Sequence, residues 1–258
     1  MNIYEATIIS LGFTAFLSYS ALLWTIGKRK EAIYYIYDAF TILFFILITQ
    51  LIMFFTIKFA NFIGINLTSL PDRQSLIDAS YSMDQIRLYS VNWIIAIASF
   101  RAALLLTPFT SPFSYVLGSA TNWSLTIFNL SAIIFLFYSI FTRVFAEAYP
   151  YMLFLGSTLT PIPKLRSLGS GLLSATITLS IALLYIEHRV KIFQAYLPLP
   201  PSFNPIDWLN IATLASDAAI ILTHLLVESG FAFSIATTVT IALSRMLSGV
   251  ALMVKTTI

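Results

Sequence analysis

Three ionisable residues share one face of a strongly apolar stretch near the carboxyl end of the chain. Asp217, His224 and Glu228 are separated by seven and then four residues, which places them on one side of an α-helix. An ionisable group at membrane depth is costly, so it is by default a candidate for function. This stripe could transfer a proton. A metal would need a third ligand beside His224 and Glu228, so no metal site is predicted. The structural alternative is a polar stripe that pairs with other helices.

Other charged residues also interrupt apolar stretches. Arg143 and Glu147 are four residues apart, so they can neutralise each other on one helix. Asp38 and Arg101 have no oppositely charged neighbour in the sequence. Each of these two should therefore pair with another helix or face water.

A further pair depends on how the chain turns. Arg245 lies about as far beyond Ser229-Gly230 as Asp217 lies before it. If the chain turns back at Ser229-Gly230, two antiparallel helices form a hairpin and a salt bridge between Asp217 and Arg245 is within reach. Such a pair would either hold the two helices of the hairpin together or line a polar path.

Several kinds of chemistry are excluded by what the sequence lacks. There is no cysteine, and the only histidines are His188 and His224. Nucleotide-binding glycine loops, the HExxH zinc motif and the GxSxG nucleophile elbow are also missing. We therefore expect no catalytic residue and no cofactor, and the protein is not predicted to be an enzyme.

The composition predicts the elements that position these residues. Of the 258 residues, 59% are hydrophobic and 10% are charged, in long apolar runs without the period of two that a β-barrel requires. The chain is therefore predicted to be an all-α, polytopic membrane bundle that forms a single transmembrane domain with about seven spans, six to eight in all. The predicted spans cover residues 6–26, 33–57, 91–107, 113–159 as one or two helices, 168–185, 208–227 and 231–254.

The polar intervals predict the topology. Lys28, Arg29 and Lys30 follow the first span, which places the amino terminus outside under the positive-inside rule. Residues 58–90 then form an outer loop that contains a possible glycosylation site at Asn66 and an interfacial helix at 76–89. A proline-rich linker covers residues 195–206.

The most unusual polar interval covers residues 155–175. Pro161 must end the preceding helix, and Pro163 is well suited to begin the next one. Lys164 and Arg166 then fall in the first turn, where the helix dipole disfavours cations. Their position requires compensation by anionic lipid, an acidic partner or a phosphate. Beyond them, Gly169 and Gly171 provide a small surface for close helix packing.

This interval resembles a known family. The residues that carry the likeness are Gly156, Leu159, Pro163, Arg166 and Gly169. They are similar to the central segment of the polytopic channel subunit of type IV secretion systems, and especially to the archaeal CedA family of the crenarchaeal exchange-of-DNA (Ced) import system. Where that pattern has a second arginine, this chain has Thr160.

The resemblance implies a membrane channel or platform through which DNA passes. It implies a separate hexameric HerA-type ATPase and small membrane or pilus subunits as partners. DNA would be held through its phosphates, and a homo-oligomeric ring would multiply Lys164, Arg166 and Arg101 around an axis. Two alternatives remain open: an ion-coupled transporter that uses the 217/224/228 stripe, and a scaffold that transports nothing.

Overall fold

The computed structural model describes residues 14, 17–62, 64, 71–106, 108–160, 165–201 and 210–256. Helices dominate this part of the chain and no β-strand occurs in it, so the all-α prediction is confirmed. Residues 17–25 are helical and lead through a turn into the first of the long helices. The long helices are α1 (Arg29–Phe62), α2 (Arg73–Leu105), α3 (Ser111–Leu159), α4 (Arg166–Gln194) and α5 (Ile211–Thr256).

Four helices in the described part are long and apolar enough to cross a membrane: α2, α3, α4 and the portion Ile211–Ser248 of α5. This indicates a membrane protein. The 49 residues of α3 would extend for about 74 Å, more than twice the thickness of a hydrocarbon core. Part of that helix must therefore lie outside the hydrocarbon.

The chain divides into two compact units. The first contains residues 1–73, 147–182 and 234–258, and the second contains residues 74–146 and 183–233. Helices α3, α4 and α5 contribute to both. In the first unit, Leu173 and Ile177 of α4 pack with Leu247 of α5, and residues of α1 and α3 cover this core.

In the second unit, α2 and α3 form an antiparallel hairpin. The guanidinium of Arg101 lies over Gly118, the rings of Trp93 and Phe128 stack with centroids 5.5 Å apart, and Thr142 contacts Met83. These contacts show that the two helices run in opposite directions.

Buried positions of α2, α3 and α5 in this unit recur at intervals of three, four or seven residues. They include 76, 79, 83, 86, 90, 93 and 97 on α2; 114, 121, 124, 128, 131, 135 and 142 on α3; and 211, 215, 218, 222, 225 and 229 on α5. This recurrence is typical of the seam along which the helices of a bundle pack. Since lipid is as apolar as these side chains, close packing rather than escape from water holds such helices together.

The predicted hairpin at Ser229-Gly230 is wrong. Helix α5 continues through both residues, and the Ser229 hydroxyl donates to the carbonyl of Leu226 at 2.9 Å, one turn back in the same helix. A glycine costs an isolated helix only about 1 kcal/mol, which an apolar sequence on both sides can offset. The predicted Asp217–Arg245 salt bridge across that hairpin is therefore also wrong.

Three other segments differ from the expectation or refine it. Residues 113–159 form one helix, α3, which includes Pro150. The predicted interfacial helix at 76–89 is the first half of α2 and continues without a break into the predicted span at 91–107. The linker is non-helical at residues 197–201, and Asn66 lies outside the described residues.

Candidate functional site

The break between α3 and α4 is present. Helix α3 ends at Leu159, as Pro161 predicted, whereas α4 begins at Arg166, three residues beyond the predicted start at Pro163. Thr160 forms the last turn of α3, where its backbone N–H donates to the carbonyl of Gly156 at 3.2 Å and its hydroxyl donates to the same oxygen at 2.5 Å. Pro161, Pro163 and Lys164 lie outside the described residues.

Two glycines bring the backbones of these helices into direct contact. A Cβ atom on Gly156 would lie 2.7 Å from the backbone nitrogen of Leu173. A Cβ atom on Gly169 would lie 2.6 Å from the carbonyl carbon of Leu159 and would also collide with the nitrogen of Thr160. Neither position can accept a side chain unless the backbone moves. We call these five residues together with Arg166 the α3–α4 clasp.

Gly171 plays a different part. A Cβ atom there would meet only the hydroxyl of Ser244 on α5, at the ordinary contact distance of 3.7 Å. Near this point the hydroxyls of Thr178 on α4 and Thr240 on α5 share a hydrogen bond. Gly171 therefore lies at a close approach of α4 to α5 but is not required by it.

Arg166 lies inside the clasp. Its side chain is nearly buried, with 8% of the residue exposed, and its Nε–H donates to the carbonyl of Thr160 at 3.3 Å. Burial disfavours the charge of this guanidinium, and the carboxylate of Asp38 on α1 offsets part of that cost. The end of α3 and an acidic side chain thus partly compensate a cation in the first turn of α4.

Helix α4 is the most deeply buried of the four candidate spans, with 67% of its apolar window buried. Its buried hydroxyls bond to carbonyls of the same helix: Ser174 donates to Ser170 at 2.6 Å, and Thr178 donates to Ser174 at 2.8 Å. These hydroxyls are satisfied locally, so the helix can pack closely while carrying polar side chains.

The predicted polar stripe on α5 separates into two parts. Glu228 accepts two hydrogen bonds from Arg189 on α4, from Nε at 2.5 Å and from the terminal nitrogen at 2.8 Å. The same guanidinium lies 5.0 Å from the ring centre of Phe193. The side chains of Asp217 and His224 are exposed. Sequence reasoning missed Arg189, although the charged end of α4 was visible in the sequence.

Glu147 has a partner that the sequence did not predict. Its carboxylate is paired with Arg73 at the start of α2, whose Nε donates at 3.0 Å. Arg143, the expected partner, is exposed on α3. Arg245 is exposed on α5, and Arg101 is partly buried over Gly118.

Within the described residues, no three histidine, aspartate or glutamate side chains are grouped as a metal would require. The fold and the clasp define an all-helical protein with several candidate membrane spans and a buried arginine at a tight helix crossing. Compared with known proteins, the chain matches no protein-family model, no curated protein and no solved structure.

Proposed function

We propose that this protein is the membrane channel or platform subunit of a type IV secretion-like DNA import machine. In this proposal it crosses the membrane six times, the lower end of the predicted range, because the two predicted spans at 208–227 and 231–254 form one continuous helix. Its amino terminus is outside. It works beside a separate hexameric HerA-type ATPase and small membrane or pilus subunits. The observation that carries the proposal is the α3–α4 clasp, because four of its six residues give the sequence its resemblance to that subunit family: Gly156, Leu159, Arg166 and Gly169.

The clasp gives these residues a mechanical role. Gly156 and Gly169 allow the two backbones to touch, and Arg166 ties the start of α4 to the end of α3. A nearly buried arginine that already has a carbonyl and Asp38 nearby is poorly placed to bind DNA phosphates. Arg166 is therefore assigned to holding the helix crossing.

Phosphate contacts would then fall to exposed cations. Arg143 on α3 and Arg245 on α5 are both exposed and lie on apolar helices. Contacts of this kind bind any DNA sequence and weaken steeply as salt rises. Since one chain presents few such cations, several copies around a common axis would be needed.

The exposed face of α5 supports an assembly. Asp217 and His224 lie on the outside of a helix that is otherwise apolar enough to span a membrane. Facing lipid would be costly for a carboxylate, so another protein surface or water should cover this face. The ion-coupled transporter loses support, because two members of its stripe face outward and Glu228 is bound to Arg189.

The test is made in the organism that encodes the protein. A deletion strain should no longer take up chromosomal markers from a partner cell, while small-solute uptake should be unchanged. Normal marker transfer would refute the proposal. Gentle-detergent purification should recover a hexameric ATPase with the protein, whereas a lone monomer would favour a carrier.

A further inference from the structure

A cationic turn joins helical residues 17–25 to α1. Gly27 has a left-handed backbone, with φ at 85°, and its N–H donates to the carbonyl of Trp24 at 3.2 Å. The two helices are held together beside this turn: the rings of Tyr19 and Tyr35 meet edge to face, 4.9 Å apart, and Ser20 donates to the carbonyl of Ala32 at 2.8 Å. Residues 24–34, here called the cationic tip, thus have a defined backbone.

The three consecutive cations of the tip are not equivalent. Lys28 is bound to Glu31, with its Nζ 3.3 Å from the carboxylate, so these two charges cancel. The guanidinium of Arg29 lies 5.9 Å from the ring centre of Trp24. Lys30 is exposed. Among the described residues, neither Arg29 nor Lys30 has an acidic partner, so the tip carries two uncompensated positive charges.

Large apolar and aromatic side chains surround these charges. Trp24 is 47% exposed, Ile26 is 64% exposed and Tyr34 is 69% exposed. Tryptophan and tyrosine favour the membrane–water boundary, where the ring can lie at the level of the lipid headgroups. A lipid interior would exclude Arg29 and Lys30, and water alone would leave the rings exposed. The headgroup layer accommodates both kinds of side chain.

We propose that the cationic tip binds the headgroup of an anionic phospholipid. Arg29 and Lys30 would donate to the phosphate oxygens, while Trp24, Ile26 and Tyr34 would contact the upper part of the acyl chains. The proposal follows from charge complementarity between the tip and an anionic lipid surface. It does not depend on the DNA-import function.

The experiment uses the whole purified protein in a neutral detergent. Phosphatidylglycerol or phosphatidylcholine is added, and bound lipid is counted by native mass spectrometry while the melting temperature is followed. The wild type should bind phosphatidylglycerol more tightly than phosphatidylcholine, and added salt should weaken only the anionic lipid. Equal binding of the two lipids would overturn the proposal.

Two paired variants locate the site. Arg29→Gln with Lys30→Gln should weaken phosphatidylglycerol binding about 30-fold, the loss expected for two basic residues near an anionic surface. The control, Lys28→Gln with Glu31→Gln, removes two opposite charges from the same turn, so it should bind like the wild type. Unchanged binding by the first variant would refute the assignment.

Two further arms complete the test. Arg29→Lys with Lys30→Arg keeps both charges and should retain binding, and its failure would contradict a site based on charge. Inorganic phosphate at the same concentration should not reproduce the rise in melting temperature. If phosphate alone gave the full effect, the ligand would be a free anion and the lipid assignment would be wrong. If the neutralised variant fails to fold, Lys30→Gln alone should still weaken phosphatidylglycerol binding about 5-fold, and unchanged binding would refute the assignment.

Discussion

The α3–α4 break and the Ser229-Gly230 segment of α5 both looked like helix ends in the sequence, yet only the first is one. At the break, Gly156 and Gly169 touch backbone atoms of the opposite helix, and prolines prevent the helix from continuing. At Gly230, an added Cβ atom would meet nothing within 4 Å, and the backbone is helical. The two segments differ in what their glycines touch. A glycine marks a helix end or crossing only when its missing side chain is needed by the backbone or by a neighbour.

Gly169→Ala should have the largest effect and is the strongest test of the difference between the two segments. The new methyl group would collide with backbone atoms of Leu159 and Thr160, which cannot rotate away as a side chain could. We expect a loss of about 3 kcal/mol in the free energy of unfolding, measured by denaturant titration in mixed micelles. The matched control is Gly171→Ala, which should stay within about 0.5 kcal/mol of the wild type. Equal effects of the two changes would contradict the clasp.

The second largest effect on stability is expected when the buried positive charge of Arg166 is removed. Arg166→Gln removes the charge near Asp38 and weakens the link to the carbonyl of Thr160, so we expect a loss of about 2 kcal/mol in the unfolding free energy. If the two charges are coupled, adding Asp38→Asn to this variant should cost less than Asp38→Asn costs alone. Simple additivity of the two substitutions would show that Asp38 does not compensate Arg166.

The ion pair between Arg189 and Glu228 should have a smaller effect. Both side chains are partly exposed, at 28% and 32%, so a double-mutant cycle with Arg189→Gln and Glu228→Gln should give a coupling of about 1 kcal/mol. His224→Ala provides the control, since His224 faces outward and should show no coupling to Glu228. A coupling to His224 as large as that to Arg189 would restore the proton-sharing hypothesis.

The smallest expected change is an increase in the free energy of unfolding. Gly230→Ala adds a methyl group in open space within a continuous helix, so it should stabilise the protein by up to about 1 kcal/mol. The same unfolding titration measures it. Destabilisation by more than about 1 kcal/mol would indicate a turn or a close contact at this position.

Composition and proline geometry could be interpreted from the sequence, whereas turns and helix packing could not. The helical class and the break before Pro161 follow from composition and from proline geometry, and both are confirmed. Ser229-Gly230 contains no residue that forbids a helix, so a turn there depended on span counting alone. The packed seams of α2, α3 and α5 were missed because apolar residues also cover the outer faces of membrane helices, which hides the periodicity of buried positions.

The ion pairs were harder still to predict. Glu147 pairs with Arg73, Glu228 pairs with Arg189, and both contacts join different helices. Sequence spacing reveals partners on one helix only, so it suggested Arg143 and His224 instead. Which helices lie side by side is decided by packing over their whole length, and no local pattern records it.

We propose that DNA import requires the α3–α4 clasp. The most direct measurement is marker transfer in a deletion strain that carries either Gly171→Ala or Gly169→Ala at equal abundance in the membrane. We expect Gly171→Ala to restore transfer and Gly169→Ala to leave it lost. Full transfer with Gly169→Ala, or in the deletion strain itself, would contradict it.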